Sequence, residues 1–215
     1  MYNKPSILLI LLNFFEILAL LAGIINYNNI KKTYWKWFVV YLIIIVIYEL
    51  FGVKIFNYFN IEERISFSYF IVPLEFLFFI WLYALKSLKK EKLFITCSCI
   101  YILSFFPNLS ILKGKFIFDS FNYMIGALIM LILVSLEFLK QIKNENILMF
   151  NQNKMFYINI GIILFYVGNL PFFGLYYPIM KEPKIWNLYY IYFMISNCIM
   201  YFLFAASFIW GKPKS

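Results

Sequence analysis

The chain has no histidine, one arginine (Arg64), one aspartate (Asp119) and three cysteines in 215 residues. Without an imidazole, Ser–His hydrolysis, His-dependent acyl transfer, His-built lipid phosphatases and His-ligated haem are excluded. A single aspartate cannot make an aspartyl-protease dyad. There is no Asp-rich metal motif for prenyl or phosphatidyl transfer, no P-loop and no dinucleotide fingerprint. The last apolar segment holds no lysine on which a retinal Schiff base could form. Cys97, Cys99 and Cys198 all lie within apolar runs. The Cys-Ser-Cys spacing suits neither a zinc ribbon nor a thioredoxin-like site, so the three read as buried thiols. No enzymatic activity, no cofactor and no metal site is expected.

Charge is also scarce. Charged residues make up 13% and hydrophobic residues 64% of the chain, against roughly 25% and 45–50% in soluble domains. A water-soluble fold of this size could not cover that much apolar surface, so the excess belongs in lipid. The net charge of +9 comes from short basic clusters between apolar runs. That pattern marks helix ends facing anionic headgroups and argues against a nucleic-acid partner. The partner it implies is the lipid bilayer.

Seven segments reach the ~20 mostly apolar residues that a membrane-crossing helix needs. They are Ile7–Tyr27, Trp35–Val53, Ile65–Leu85, Leu93–Leu112, Phe116–Leu139, Met155–Tyr177 and Trp186–Trp210. The runs are continuous rather than alternating, which excludes barrel strands. Pro107 and Asn108 interrupt the fourth and are expected to fray or kink its outer end. Asn13 and Glu16 break the first, and no Ala-x-Ala site follows, so cleavage as a signal peptide is not expected. The connections are short and no internal repeat is evident, so the expectation is one domain, with no soluble module and no duplicated transporter fold. Twelve of the nineteen Lys and Arg residues fall in the first, third and fifth connections and the tail. By the positive-inside rule these face the cytoplasm. The expected fold is an all-α integral membrane protein, a seven-transmembrane-helix bundle with its N-terminus outside and its C-terminus cytoplasmic. Trp35, Trp37, Trp81 and Trp210 then form the inner aromatic belt, with Trp186 at the outer surface.

The polar residues inside these runs carry most of the functional information. Glu16 and Glu75 are central to the first and third segments, and Glu49 lies in the outer third of the second. No Lys or Arg lies at a comparable depth. A charged carboxylate at mid-bilayer costs at least ~2.5–3.5 kcal/mol, so these acids must be protonated, hydrogen-bonded or facing a wet cavity. Asn13, Glu16, Ala19, Leu20, Gly23 and Asn26 share one stripe of the first helix. Asn159, Tyr166 and Asn169 share a face of the sixth, with Gly161 and Gly168 opposite, where a neighbour can pack closely. Asn187, Met194, Asn197, Cys198, Tyr201 and Ala205 make a stripe on the seventh. Pro73 and Pro171, each two residues from a polar candidate, could free backbone groups beside the pocket or be simple kinks. Asp119 and Glu137, near helix ends, need no special explanation. On one reading the polar groups only hydrogen-bond helices together, at roughly 0.6–2 kcal/mol each. On the other, Glu16, Glu49, Glu75, Asn13, Tyr166, Asn169, Asn197 and Tyr201 line a pocket for a ligand or proton. Asn159 and Asn187 lean to the first reading, Glu16 and Glu75 to the second.

The last third of the chain carries a resemblance. Phe156-Tyr-Ile-Asn-Ile-Gly161, Phe165-Tyr-Val-Gly-Asn169-Leu, Ile185-Trp-Asn-Leu, Asn197-Cys-Ile-Met-Tyr201 and Phe204-Ala-Ala-Ser-Phe208 resemble a poorly characterised bacterial family of seven-helix membrane modules. Members stand alone or precede a cytoplasmic histidine-kinase domain as its membrane input. The resemblance implies a sensory or accessory module in the bacterial inner membrane, and here a separate histidine kinase or another membrane protein as partner. The abundance of Phe, Tyr, Ile, Asn and Lys, read as low-GC coding, agrees with a bacterial source. The rival readings are a small proton- or cation-coupled transporter or channel, and a structural subunit of a membrane complex. The ligand itself is not legible.

Overall fold

The computed structural model describes residues 6–59, 61, 63–106, 120–143, 151–175, 178–179 and 181–212. These are almost wholly helical, with no β-strand among the described residues. Helix α1 (Ser6–Ile25) leads through the short α2 (Tyr27–Ile30) to α3 (Lys36–Ile47). The latter continues through a π-helical segment, π1 (Tyr48–Gly52), into α4 (Val53–Tyr58). The next leg is α5 (Glu63–Ser66), π2 (Phe67–Ile71), α6 (Val72–Ile80) and π3 (Trp81–Ser87). Then come α7 (Glu91–Leu103), α8 (Ser120–Lys143), and α9 (Lys154–Ile162) with π4 (Ile163–Val167) and α10 (Leu170–Gly174). The chain ends in α11 (Pro183–Trp210).

Among the described residues, five stretches are long and apolar enough to cross a membrane: Ile7–Ile25, Phe67–Ser87, Phe121–Lys143, Lys154–Phe172 and Pro183–Trp210. They mark the chain as a multi-pass membrane protein. The segments expected as second and fourth spans are helical where described but are not among the five. The former carries Glu49 and Lys54 inside its helical run, and the latter is helical over Glu91–Leu103. Pro107, Asn108, Asp119 and the start of the expected fifth span lie outside the described residues.

Local chemistry sets the ends. Pro183 at the first turn of α11 lacks the N–H that would have been unsatisfied there. The Asn153 side chain caps α9 by accepting from the Met155 N–H at 3.0 Å. After π3, Lys89 adopts a left-handed φ of 55°. The Lys90 N–H then reaches back to the Ala84 carbonyl at 2.8 Å, closing the helix end. Pro73 and Pro171 follow π2 and π4. In a regular α-helix a proline ring crowds the carbonyl four residues back, and here those carbonyls, of Tyr69 and Val167, belong to the wider π turns.

Pair contacts give the helix directions. Phe38 meets Phe79 while Tyr48 bonds Ser66, so α3 and α6 are antiparallel. Phe76 packs on Tyr101 and Tyr69 on Phe105, which makes α7 antiparallel to α6. Phe76 also packs on Tyr123 while Ser87 bonds Glu137, so α6 and α8 are parallel. Phe138–Phe156 and Tyr123–Tyr166 make α8 and α9 antiparallel. Phe15–Phe202 and the approach of Gly23 to Phe208 make α1 and α11 parallel. Phe38 sits at the centre of the packing, its ring 5.1 to 6.2 Å from those of Tyr41, Phe79, Phe204 and Phe208. As expected for Gly161, α9 and α11 come close there: a Cβ would stand 3.3 Å from the Met200 Cα.

Candidate functional site

The expected inward stripe of α1 is observed. Glu16, Ala19 and Gly23 are buried, and Asn13, Leu20 and Asn26 are half-buried. Glu16 is 3% exposed, and among the described residues its carboxyl makes no hydrogen bond. Glu75, buried on α6, accepts a 3.3 Å hydrogen bond from the Tyr41 hydroxyl on α3. Glu49, on π1, is half-buried. The three acids come from three legs of the chain and are near enough for their charges to repel one another. They are not gathered tightly enough to hold a metal ion, and no such group of three exists among the described residues. Among the described side chains, no Lys or Arg is in reach of Glu16 or Glu75.

Tyrosines surround the acids. Tyr166 on π4 is fully buried beside Glu75, and its hydroxyl has no well-aligned partner. Tyr201 on α11 is buried next to Tyr41 and within electrostatic reach of Glu16 and Glu75. Cys198, one turn before Tyr201, lies near Glu16. The structure therefore brings five of the eight predicted residues, Glu16, Glu49, Glu75, Tyr166 and Tyr201, into one cluster. Tyr41 completes it and was missed by sequence reasoning. It falls with Ile45 and Tyr48 on one buried stripe at i, i+4 and i+7, the period that marks an inward face.

The other three stand apart or only border the cluster. Asn169 donates to the Phe165 carbonyl at 2.6 Å and to Ser196 Oγ at 3.0 Å, an interhelical tie. Asn13 and Asn197 each keep a buried side-chain oxygen without a partner, one turn before Glu16 and Tyr201 respectively. Asn159 accepts from the Tyr83 hydroxyl at 2.8 Å, the structural role expected of it. Asn187 is exposed and does not join the inward stripe of α11. It lies in the first turns of α11, before the helix meets α1 and α9.

Three further expectations need correction. Glu137 is 2% exposed and accepts from Ser87 Oγ at 2.6 Å and Gln141 Nε2 at 3.2 Å, with Lys140 Nζ at 3.6 Å. Its position near a helix end does not leave it in solvent, because π3 covers it. Lys154, counted with the connection cations, is 3% exposed. It donates to the Ser207 carbonyl at 2.9 Å and lies over the Trp35 and Phe208 rings. Cys99 is exposed, unlike Cys97 and Cys198; two helical residues turn a side chain by about 200°.

Chemically, the cluster can hold protons or bind a positive charge, with hydroxyl donors and aromatic faces around it. Compared with known proteins, the chain matches no family model, no curated protein and no solved structure.

Proposed function

We infer that the chain is a seven-span membrane protein, N-terminus outside and C-terminus cytoplasmic, that works without catalysis as a sensory or accessory module. Its input is the acid–tyrosine cluster. Gain or loss of a proton, or of a cationic ligand, changes how the helices pack around Glu16, Glu49 and Glu75. A separate histidine kinase or another membrane protein in the bacterial inner membrane reads that change.

The observation that carries this reading is the convergence of two buried carboxylates, from α1 and α6, and a half-buried one from π1, with no cation in reach of Glu16 or Glu75 among the described side chains. Left ionised in hydrocarbon, such a group is costly enough to dominate the local packing energy. Occupancy of the site thus biases the bundle directly. One acid and one tyrosine of the cluster lie on π-helical turns, Glu49 on π1 and Tyr166 on π4. These turns are rare and concentrate at functional sites. Seven spans are supported by the alternating directions of successive legs, with α7 returning the chain between the parallel α6 and α8. The parallel course of α1 and α11 requires an odd number of crossings. The resemblance in residues 156–208 supports the signalling role.

The test is a proton titration of the purified chain in lipid nanodiscs, followed by tryptophan fluorescence, which reports packing around the buried Trp35. Wild type shows a transition that Glu75→Gln removes, and a stoichiometric partner copurifies from native membranes. Proton or cation flux into proteoliposomes that depends on Glu16 or Glu75 turns the reading to transport. A Glu75→Gln titration identical to wild type contradicts it.

A further inference from the structure

The unpartnered polar atoms around the acids are unevenly placed along the bundle. Asn13 stands one turn from Glu16 toward the start of α1, and Asn197 one turn from Tyr201 toward the start of α11. Each keeps a buried side-chain oxygen without a partner. Beside Glu75, the Tyr101 and Tyr166 rings both pack on Phe76 at 5.1 Å, and both hydroxyls are buried with no well-aligned partner. Asn122 on α8 is 1% exposed, and neither of its amide atoms is bonded. Gly126, one turn further along that face, lies against the Phe76 ring, so Asn122 faces α6. Groups of this kind are ordinarily satisfied by buried water. All five residues lie level with the acids or on the side where α1, α8 and α11 begin.

The other side of the cluster is closed by rings. Phe38 and Phe79 lie one turn beyond Tyr41 and Glu75, and Phe204 and Phe208 lie one and two turns beyond Tyr201. All four are fully buried. The Phe38 ring is 6.2, 5.1 and 5.6 Å from those of Phe79, Phe204 and Phe208, and Phe79 is 5.9 Å from Phe204. Other legs are equally apolar at this level, with Ala19 on α1, Ala127 on α8 and Ile162 on α9 all buried. The unpartnered Trp35 Nε1, Gln141 Oε1 and Asn159 Nδ2 lie past this layer, and Ser98 Oγ is level with it on α7. A packed apolar layer holds no water and stops ions as a hydrophobic constriction does.

We propose that water reaches the acids from one side only, the side where α1 and α11 begin, along Asn13 and Asn197. Glu16 and Glu75 then exchange protons with that side alone. Hydronium arriving there gives its proton to a carboxylate, leaving a carboxyl group and a water. Release runs back along the same route, so no net charge crosses the aromatic layer. Facing Glu16 are Glu49 and Glu75, with Tyr41, Tyr201 and Cys198. Facing Glu75 are the same two tyrosines and Tyr101, Tyr123 and Tyr166, besides the other two acids. No described Lys or Arg faces either acid, so a proton is what neutralises them. With the N-terminus outside, the quantity read is the acidity of the external medium. The proposal rests on the reading of the cluster as a proton input, and it names the compartment that supplies the proton.

The test uses the full chain in liposomes with an unequal mixture of orientations, measured by protease release of a C-terminal tag. The medium is acidified at fixed lumen pH while tryptophan fluorescence is followed, and nigericin in potassium chloride then equalises the two sides. The share of the change completed before nigericin should equal the fraction of chains whose C-terminus lies in the lumen. A share equal to the opposite fraction, or the whole change before nigericin, overturns one-sided access from this face. Either result leaves the proton input standing and removes only its compartment. No change at either stage removes the input itself, and this proposal with it. Asn13→Leu combined with Asn197→Leu should slow the first phase at least about tenfold. Its final amplitude after nigericin should match wild type, which shows that the variant folds. A first phase that is not slowed overturns the route along Asn13 and Asn197.

Discussion

The Tyr41 hydroxyl donates to Glu75 Oε1 at 3.3 Å, joining α3 to α6 where both side chains are buried. Among the described side chains, no Lys or Arg accompanies the pair. Tyr41→Phe keeps the ring stacked on Phe78 at 4.4 Å and removes only the donor. It should lower stability by roughly 0.6–1.7 kcal/mol, the range of hydrogen bonds between membrane helices. Unfolding in mixed micelles measures this, and the proton-dependent fluorescence change should weaken in parallel.

Glu137 ties α8 to the end of π3. Glu137→Ala strands the Ser87 hydroxyl and the Gln141 amide, and should cost about 1–3 kcal/mol. Lys140→Met removes a cation that is one-third exposed, and should cost at most about 1 kcal/mol. Comparing the two by chemical denaturation separates the buried acceptor from its exposed partner.

Lys154 holds α9 to the end of α11 through the Ser207 carbonyl and the Trp35 and Phe208 rings. Lys154→Met should cost roughly 1–2 kcal/mol, as expected for a desolvated cation over aromatic faces. Trp35 fluorescence should shift as well, because its ring loses the charge above it. Lys154→Arg should recover part of both effects.

Gly161 has no room for a branched side chain against the Met200 backbone. Gly161→Val should separate α9 from α11 and lower stability by about 1–3 kcal/mol. Gly174→Ala, where a Cβ meets nothing closer than the Met124 sulfur at 3.7 Å, should be nearly silent. Paired melting curves in one detergent make the comparison.

Much of this was legible in the sequence, because a bilayer imposes a simple rule: lipid-facing residues are apolar and polar ones turn inward. That rule located Glu16, Glu75, Tyr166 and Tyr201. It failed for Tyr41, whose importance depends on which helix faces α3, something the spacing within one helix does not contain. The π turns carrying Glu49 and Tyr166 were also invisible, since no residue pattern encodes a widened turn, although Pro171 hinted at freed backbone beside the second of them. Glu137 and Lys154 misled for one shared reason. Position near a helix end predicts exposure only if no neighbour covers that end, and here π3 and α11 do. Asn187 erred the other way: its periodicity was right, but over the first turns of α11 the neighbouring Phe172 of α10 covers Trp186 and Tyr189 and leaves Asn187 exposed.

The most direct measurement is infrared difference spectroscopy of the chain in nanodiscs across a proton titration, comparing wild type with Glu16→Gln and Glu75→Gln. The account predicts carboxylic C=O bands that each variant selectively removes, changing together with an amide band that reports helix repacking. Carboxyl bands that stay fixed through the titration, or an amide change that persists in both variants, would contradict it.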